Sequence, residues 1–253
     1  MIALPPPPWG FFLDLDGTLI ELAETPGGVR TPAGLPALLE QLRARSAGAV
    51  ALVSGRPIAE LDALLGGVRF PAAGLHGLER RTEAGVVVRV AASPPVVEPV
   101  WDELAAEIGR HPGLFAERKS VAFAIHYRQA PALAGYAHRL ARGACARLGP
   151  GYRVQAGKRV VELRPVGADK GDAIRAFLDE PPFRGRTPVF IGDDRTDEPG
   201  FLAVEGLGGV SIKVGPGPSR AHWRLTDAAA VRGWLLTGHP APRRSRRRTR
   251  GAR

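Results

Sequence analysis

Short apolar runs that end in polar or glycine-containing turns alternate along this chain with stretches whose apolar residues recur every three or four positions. Phe11-Phe12-Leu13 ends at Asp14, Ala49 to Val53 ends at Ser54-Gly55-Arg56, and Val189-Phe190-Ile191 ends at Gly192-Asp193-Asp194. Between the first two runs, Leu35, Leu38, Leu39 and Leu42 share one helical stripe; after the second, Ile58, Leu61, Leu64 and Leu65 do the same. Buried strands alternating with helices predict an α/β fold with a Rossmann-like parallel sheet. In such sheets ligands sit beyond the carboxyl ends of the strands, where all three polar clusters fall.

The middle of the chain has a different rhythm. Ser93-Pro94-Pro95 reads as a linker, and Val100, Trp101, Leu104 and Ile108 then mark a helix. From Ser120 to Arg128 the pattern alternates: Val121, Phe123, Ile125 and Tyr127 on one face, Ala122, Ala124, His126 and Arg128 on the other. A second helix is marked by Leu133, Tyr136, Leu140, Ala144 and Leu148, and short strands follow at Tyr152–Ala156 and Val160–Leu163. The order α-β-β-α-β-β predicts a small sheet with helices on one side and an open polar face. We place this inserted α/β domain at 98–166, inside a discontinuous core of 1–97 and 167–242.

Charge changes the picture less than its size suggests. The formal charge is +10, but the segment Arg243–Arg253 holds seven arginines and no acid, which leaves +3 for the rest. That segment has no large apolar residue and is expected to be a solvated, disordered tail. Only four of the 35 basic residues are lysines: Lys119, Lys158, Lys170 and Lys213. Cys145 is the single cysteine, so neither an intramolecular disulfide nor a cysteine-based zinc cluster is available. No signal-peptide pattern opens the chain, and no apolar run approaches the roughly 20 residues of a membrane span. A soluble cytoplasmic protein without a membrane partner is the expectation.

Four clusters carry candidate chemistry. In Asp14-Leu15-Asp16-Gly17-Thr18 two carboxylates follow a buried strand, and Gly17 permits a turn that separates them. Ser54 and Arg56 could donate to phosphate oxygens; the same residues also suit a helix N-cap and a solvated arginine. Lys170 opens a predicted helix, where a cation opposes the macrodipole unless an anion is close. Asp193, Asp194, Asp197 and Glu198 crowd four acids into six residues, a hard-oxygen set that suits Mg²⁺, although Asp197 and Glu198 also suit a helix N-terminus. A nucleophilic carboxylate, an acid/base carboxylate, phosphate-oxygen donors and a magnesium cluster together suit phosphoryl transfer.

In this order the four motifs resemble those of the haloacid-dehalogenase-like superfamily. Further segments resemble its trehalose-6-phosphate phosphatases: Gly74 to Glu79, Glu117-Arg118-Lys119, His126-Tyr127-Arg128, Gly157-Lys158 with Val161-Glu162, and Gly185 to Pro188. The resemblance spans most of 9–236. It implies that Asp14 attacks phosphorus, that Asp16 protonates the leaving oxygen and then activates water, and that Ser54 and Lys170 hold the phosphate. It further implies Mg²⁺ on Asp14, the Asp16 carbonyl and Asp193, with Asp194 and Asp197 supporting the metal or orienting Lys170. The inserted domain becomes a cap in which Glu117, Lys119 and Glu162 bind glucose hydroxyls. Arg56, Arg128 and His76 are additional substrate-binding candidates, and a trehalose-phosphate synthase is a candidate partner. In one unbroken strand Glu117 and Lys119 would share the apolar face with Val121 and Phe123, so their role requires a turn near Ser120.

Two other readings compete. A phosphomannomutase-like enzyme or another sugar phosphatase would keep the chemistry and change the acceptor. A non-enzymatic nucleic-acid-binding protein would use the arginine tail, but clustered aspartates would repel a polyanion, so nucleic acid is disfavoured as a partner.

Overall fold

The computed structural model of the protein describes residues 8–22, 30–89, 95–119, 121–157, 159–166, 169–237 and 243–244, without the side chains of Arg89 and Lys119. The chain divides into two compact units, Met1–Arg89 with Asp169–Arg253, and Val90–Ala168. The second unit therefore starts ahead of the expected boundary at 98. Val97, in the first turn of its leading helix, is already part of that unit's core.

Among the described residues, the first unit is built on nine strands. In chain order the elements are β1 (Trp9–Leu13), α1 (Leu35–Arg45), β2 (Val50–Val53), α2 (Ile58–Leu64), β3 (Ala72–Gly74), β4 (Glu79–Arg81) and β5 (Val87–Arg89). The second unit contributes α3 (Val97–Gly109), β6 (Phe115–Lys119), β7 (Ala122–His126), α4 (Ala134–Leu148), β8 (Tyr152–Ala156) and β9 (Val160–Pro165). The chain then returns to the first unit with α5 (Lys170–Leu178), β10 (Thr187–Gly192), α6 (Glu198–Gly206), β11 (Val210–Val214), β12 (Trp223–Leu225), α7 (Ala228–Thr237) and β13 (Arg243–Arg244). The large sheet has the order β13-β12-β11-β10-β1-β2-β3-β4-β5. Its six central strands are parallel, and β4, β5 and β13 are antiparallel additions at the edges.

The apolar runs explain the layering. Successive side chains of a strand point to opposite faces, so each run must be apolar throughout when helices cover both. Phe11, Leu13, Val50, Leu52, Val189 and Ile191 pack with Leu35, Leu38, Leu39 and Leu42 of α1, Ile58 and Leu61 of α2 and Val231 of α7. Their neighbours Phe12, Ala51, Val53 and Phe190 pack on the other side with Ile174 and Phe177 of α5 and Phe201 and Val204 of α6. Phe12 is the centre of that second layer, stacked on Phe183 at 5.2 Å and beside Phe177 at 6.0 Å between ring centroids.

In the second unit, four antiparallel strands run in the order β6-β7-β9-β8. One face carries Phe123, Ile125, Val161 and Leu163 against α3 and α4. The expected stripe on α4 holds at Ala144 and Leu148 and is shifted by one residue in the earlier turns. Ala137, Ala141, Ala144 and Leu148 are buried, whereas Leu140 is only partly so and Leu133 precedes the helix. Small alanines let the helix approach the sheet closely, an advantage that a scan for large apolar residues does not register.

The expected arginine tail needs a second correction. Arg243 and Arg244 form β13, pairing antiparallel with Arg224 and Trp223, so the segment is not wholly outside the fold. Residues 245–253 lie outside the described residues, as do Ser93 and Pro94 of the linker, Ser120 and Lys158.

Phe12→Ala should cost about 3–5 kcal/mol, because it empties a fully buried ring site between two other aromatics. Urea denaturation followed by tryptophan fluorescence would measure it; a loss under 1 kcal/mol would contradict the rigid packing of this layer.

Candidate active site

The parallel order of the central strands brings their carboxyl ends together, and with them the polar clusters. Leu13 of β1 is in register with Ile191 of β10 on one side and Leu52 of β2 on the other. Asp14 therefore leaves the sheet between Gly192-Asp193 and Val53-Ser54, and its backbone N–H donates to the Ile191 carbonyl at 3.0 Å.

Asp14 is buried, and Lys170 Nζ donates to its Oδ1 at 2.8 Å while Thr18 Oγ1 donates to its Oδ2 at 3.3 Å. The same ammonium donates to Asp197 Oδ1 at 2.6 Å. Lys170 is 2% exposed and Asp197 0%, so this is a buried ion cluster rather than a surface pair. The lysine reaches it because α5 begins there. The helix N-cap is Asp169, whose side chain accepts from the backbone N–H groups of Gly171 and Asp172. A carboxylate thus occupies the N-cap while Lys170 reaches the buried anions.

Asp193 completes the acidic set. One carboxylate oxygen from each of Asp14, Asp193 and Asp197 lies within 4.8 Å of the others, a donor set that could hold a hard divalent cation. Two glycines permit this closeness. A Cβ on Gly17, whose φ is +79°, would lie 2.2 Å from Asp193 Oδ2; a Cβ on Gly192 would lie 2.3 Å from Asp197 Cγ. Asp197 Oδ2 also accepts from the Asp194 backbone N–H at 2.9 Å, as half of a capping box with Asp194. Both oxygens of Asp197 thus already hold donors. The N-terminal acid that also suited a helix start is in addition the buried partner of Lys170.

Burial is the main influence on these groups. It holds the Asp14 carboxyl well above the ordinary aspartate range, against the pull of Lys170 and with the help of Asp197 and Asp193. It also pushes Asp193 up to about 7, with Asp197 adding to the effect. Burial works against the Lys170 ammonium too, but the two carboxylates outweigh it and the group is held more strongly protonated than usual.

Asp16 faces elsewhere. Arg56 grips it in a two-point salt bridge, Nε to Oδ2 at 2.6 Å and Nη2 to Oδ1 at 2.8 Å, and reaches Glu60 with Nη1 at 3.1 Å. The guanidinium that was expected to meet a phosphate is therefore engaged by carboxylates, Asp16 foremost. Ser54 is buried, and its Oγ accepts from the Arg56 backbone N–H at 3.2 Å. His76 donates its backbone N–H to the Ser54 carbonyl at 2.8 Å, and its ring lies where a Cβ on Gly55 would come within 2.7 Å. Its place is beside the Ser54 turn, in a left-handed conformation with φ 60°.

The open face of the second unit gathers other expected residues. β6 and β7 pair antiparallel as a hairpin, which meets the requirement that the chain turn between Lys119 and Val121. Residues paired directly across antiparallel strands share a face. Glu117 stands opposite Ala124, Ala124 opposite Glu162, and Glu162 opposite Gln155, which makes one polar row. Lys119 stands opposite Ala122 at the next such position, and its side chain is outside the described set. His126 Nε2 lies 2.7 Å from Glu117 Oε2. Arg128 is not in this row, because β7 ends at His126 and Arg128 is exposed beyond it.

The chain has relatives among known proteins. Residues 12–229 match the family model for trehalose-phosphatase. The chain is 45% identical over 231 residues to the trehalose-6-phosphate phosphatase of Escherichia coli strain K12, covering 90% of this chain and 85% of that one. It is 46% identical over 227 residues to a probable trehalose-phosphate phosphatase of Sinorhizobium fredii, covering 89% and 85%. The chain belongs to the trehalose-phosphatase family. Among solved structures, a trehalose-6-phosphate phosphatase related protein aligns with a TM-score of 0.72 at 28% identity, over 89% of this chain and 94% of that one. The C-terminal domain of the Candida albicans trehalose-6-phosphate phosphatase shares the fold, with a TM-score of 0.76 at 23% identity over 90% and 91%.

Within this trehalose-phosphatase fold, sequence reasoning passed over three residues that the geometry brings to the fore. Thr18 is fully buried against Asp14. Lys213 lies behind Asp193, and its rarity in an arginine-rich chain was the available signal. Gln155 joins the Glu117–Glu162 row through strand register, which no local pattern announces.

An acid raised by burial binds its proton more tightly in the folded chain than in the unfolded one. For Asp193 that contribution is full below about 3.8 and is lost as pH rises toward about 7. Metal-free Asp193→Asn should therefore be more stable than the parent by about 1–3 kcal/mol near pH 8, with the gap closing near pH 4. Urea titrations at the two pH values would test this; an equal gap at both would contradict the raised pKa.

Proposed function

We propose that this chain hydrolyses trehalose 6-phosphate to trehalose and phosphate through an aspartyl-phosphate intermediate. The observation that carries the reaction type is Asp14, a carboxylate at a strand end with Lys170 at 2.8 Å and Asp193 and Asp197 beside it. The substrate class is supported by the family match and by the names of the curated relatives.

Asp14 is the nucleophile. Its Oδ1 is held by Lys170 and its Oδ2 by Thr18, so the carboxylate is oriented before substrate arrives. Lys170 and the Ser54 hydroxyl meet phosphate oxygens. Asp16 acts as acid on the leaving sugar oxygen and then as base toward water. Arg56 is better read as the residue that positions Asp16 than as a direct phosphate ligand, given its two-point grip. The oxygen donors fit Mg²⁺, with Asp14, Asp193 and the Asp16 carbonyl holding it and Asp194 and Asp197 in support. Once bound, the cation would offset the negative charge of a carboxylate and a phosphate brought together. On the second unit, the Glu117–Glu162 row and Lys119 recognise glucose hydroxyls. Arg128 and His76 are left as weaker candidates. A trehalose-phosphate synthase is the proposed source of the substrate.

A panel of sugar phosphates should show phosphate release that prefers trehalose 6-phosphate and is lost when Mg²⁺ is chelated. Asp14→Asn should reduce turnover by at least about a thousand-fold with an unchanged circular dichroism spectrum. Hexose phosphate interconversion without phosphate release would instead identify a mutase.

Glu162→Gln should raise KM for trehalose 6-phosphate by about ten-fold, equivalent to one lost charge-assisted hydrogen bond, with a much smaller effect on p-nitrophenyl phosphate. Equal losses on both substrates would show that the residue does not read the sugar.

A further inference from the structure

Lys213 stands apart from the other described lysine of the site. It is 5% exposed and lies in β11, where all five residues are buried. Val210, Ile212 and Val214 face the layer of α1, α2 and α7, which leaves Ser211 and Lys213 on the side of α5 and α6. Ser211 there bonds to Glu205 of α6 and accepts from the His222 backbone N–H. At position 213 an apolar side chain would be the default choice for stability, since a buried ammonium is costly unless it is compensated.

The compensation is unusual. Lys213 Nζ donates to the backbone carbonyls of Asp193 and Val214. Among the described residues no carboxylate comes within salt-bridge distance of it, in contrast to Lys170. Burial pulls its ammonium below the ordinary lysine range, while Asp193, Asp197 and Asp194 act in the opposite direction and Arg224 adds to the lowering. Gly192 and Lys213 are partners across β10 and β11, so the lysine head lies where the chain turns out of β10 into the acidic loop. Three donors on a flexible stem suit this task better than a planar guanidinium, which fits the presence of a scarce lysine here.

We propose that Lys213 is a positioning residue that clamps the Asp193 carbonyl to the end of β11, so that the Asp193 carboxylate is aimed at Asp14 and ready to ligate Mg²⁺. The inference rests on the metal-dependent reading of the site. Its logic is that of an outer partner that orients a metal ligand. The clamp stops the 193–194 peptide from rotating, and Gly17 gives the carboxylate room on its other side. The positive charge behind the loop also lowers the repulsion among carboxylates gathered there before any cation arrives.

The test is Mg²⁺ affinity by isothermal calorimetry, on parent and variants, with no substrate present. Lys213→Met, which removes charge and donors but keeps length, should weaken Mg²⁺ binding by about ten-fold or more. Its KM for trehalose 6-phosphate at saturating Mg²⁺ should change less than two-fold. Lys213→Gln keeps a donor without the charge and should recover part of the Mg²⁺ affinity; it replaces the methionine variant as the test if that protein does not fold. Mg²⁺ affinity within two-fold of the parent in the folded variant overturns the proposal and leaves Lys213 as a filler of the core. A parent that binds no Mg²⁺ overturns the metal-dependent reading as well, whereas a parent and variant that bind equally well overturn only this inference.

Discussion

The Lys170 ammonium between Asp14 and Asp197 is the interaction on which the rest of the site depends. Bringing buried carboxylates within a few ångströms of one another is unfavourable, and solvent cannot relieve it where exposure is close to zero. One cation bonded to two of them, at 2.8 and 2.6 Å, makes the cluster tolerable. Burial still holds the Asp14 and Asp193 carboxyls above the ordinary aspartate range. The fold must therefore hold the parts of this cluster in place.

The sheet does this through connectivity. Parallel strands order their carboxyl ends at one edge, and the sequence-distant segments 14–18, 54–56, 169–172 and 192–197 meet there. Each segment has its own local device. Gly17 and Gly192 give room for neighbouring carboxylates, Asp169 caps the helix that delivers Lys170, and the Asp194–Asp197 capping box shapes the acidic loop. Arg56 fixes Asp16 in a similar way, with its planar donor set matched to both carboxylate oxygens. The support around each of these side chains is as specified as the side chain itself.

The second unit uses a different principle. Its antiparallel sheet needs only one apolar face, so the other is free to carry Glu117, His126, Glu162 and Gln155 in register. Here the antiparallel pairing of β6 with β7 is decisive. Without it, parity would send Glu117 into the core with Phe123.

Much was legible in the chain because local physics announces it. Apolar runs covered on both faces specified the doubly wound sheet, and the α-β-β-α-β-β rhythm specified the second unit. Acid pairs at strand ends pointed to Asp14 and Asp193, which the fold brings together, because like charges so close in sequence are hard to explain otherwise. What the sequence alone left open depends on contacts between distant residues. Arg56 could serve a phosphate or stand as a solvated charge; only the tertiary structure sets it on Asp16. Asp197 could be an ordinary helix-start acid; only packing places its oxygens on Lys170 and the Asp194 amide. The alanine stripe of α4, the pairing of Arg243–Arg244 with β12 and the place of Lys213 behind Asp193 were likewise decided by burial and register. A side chain's type limits the bonds it can make, but which of those bonds it makes depends on the neighbours that folding brings within reach.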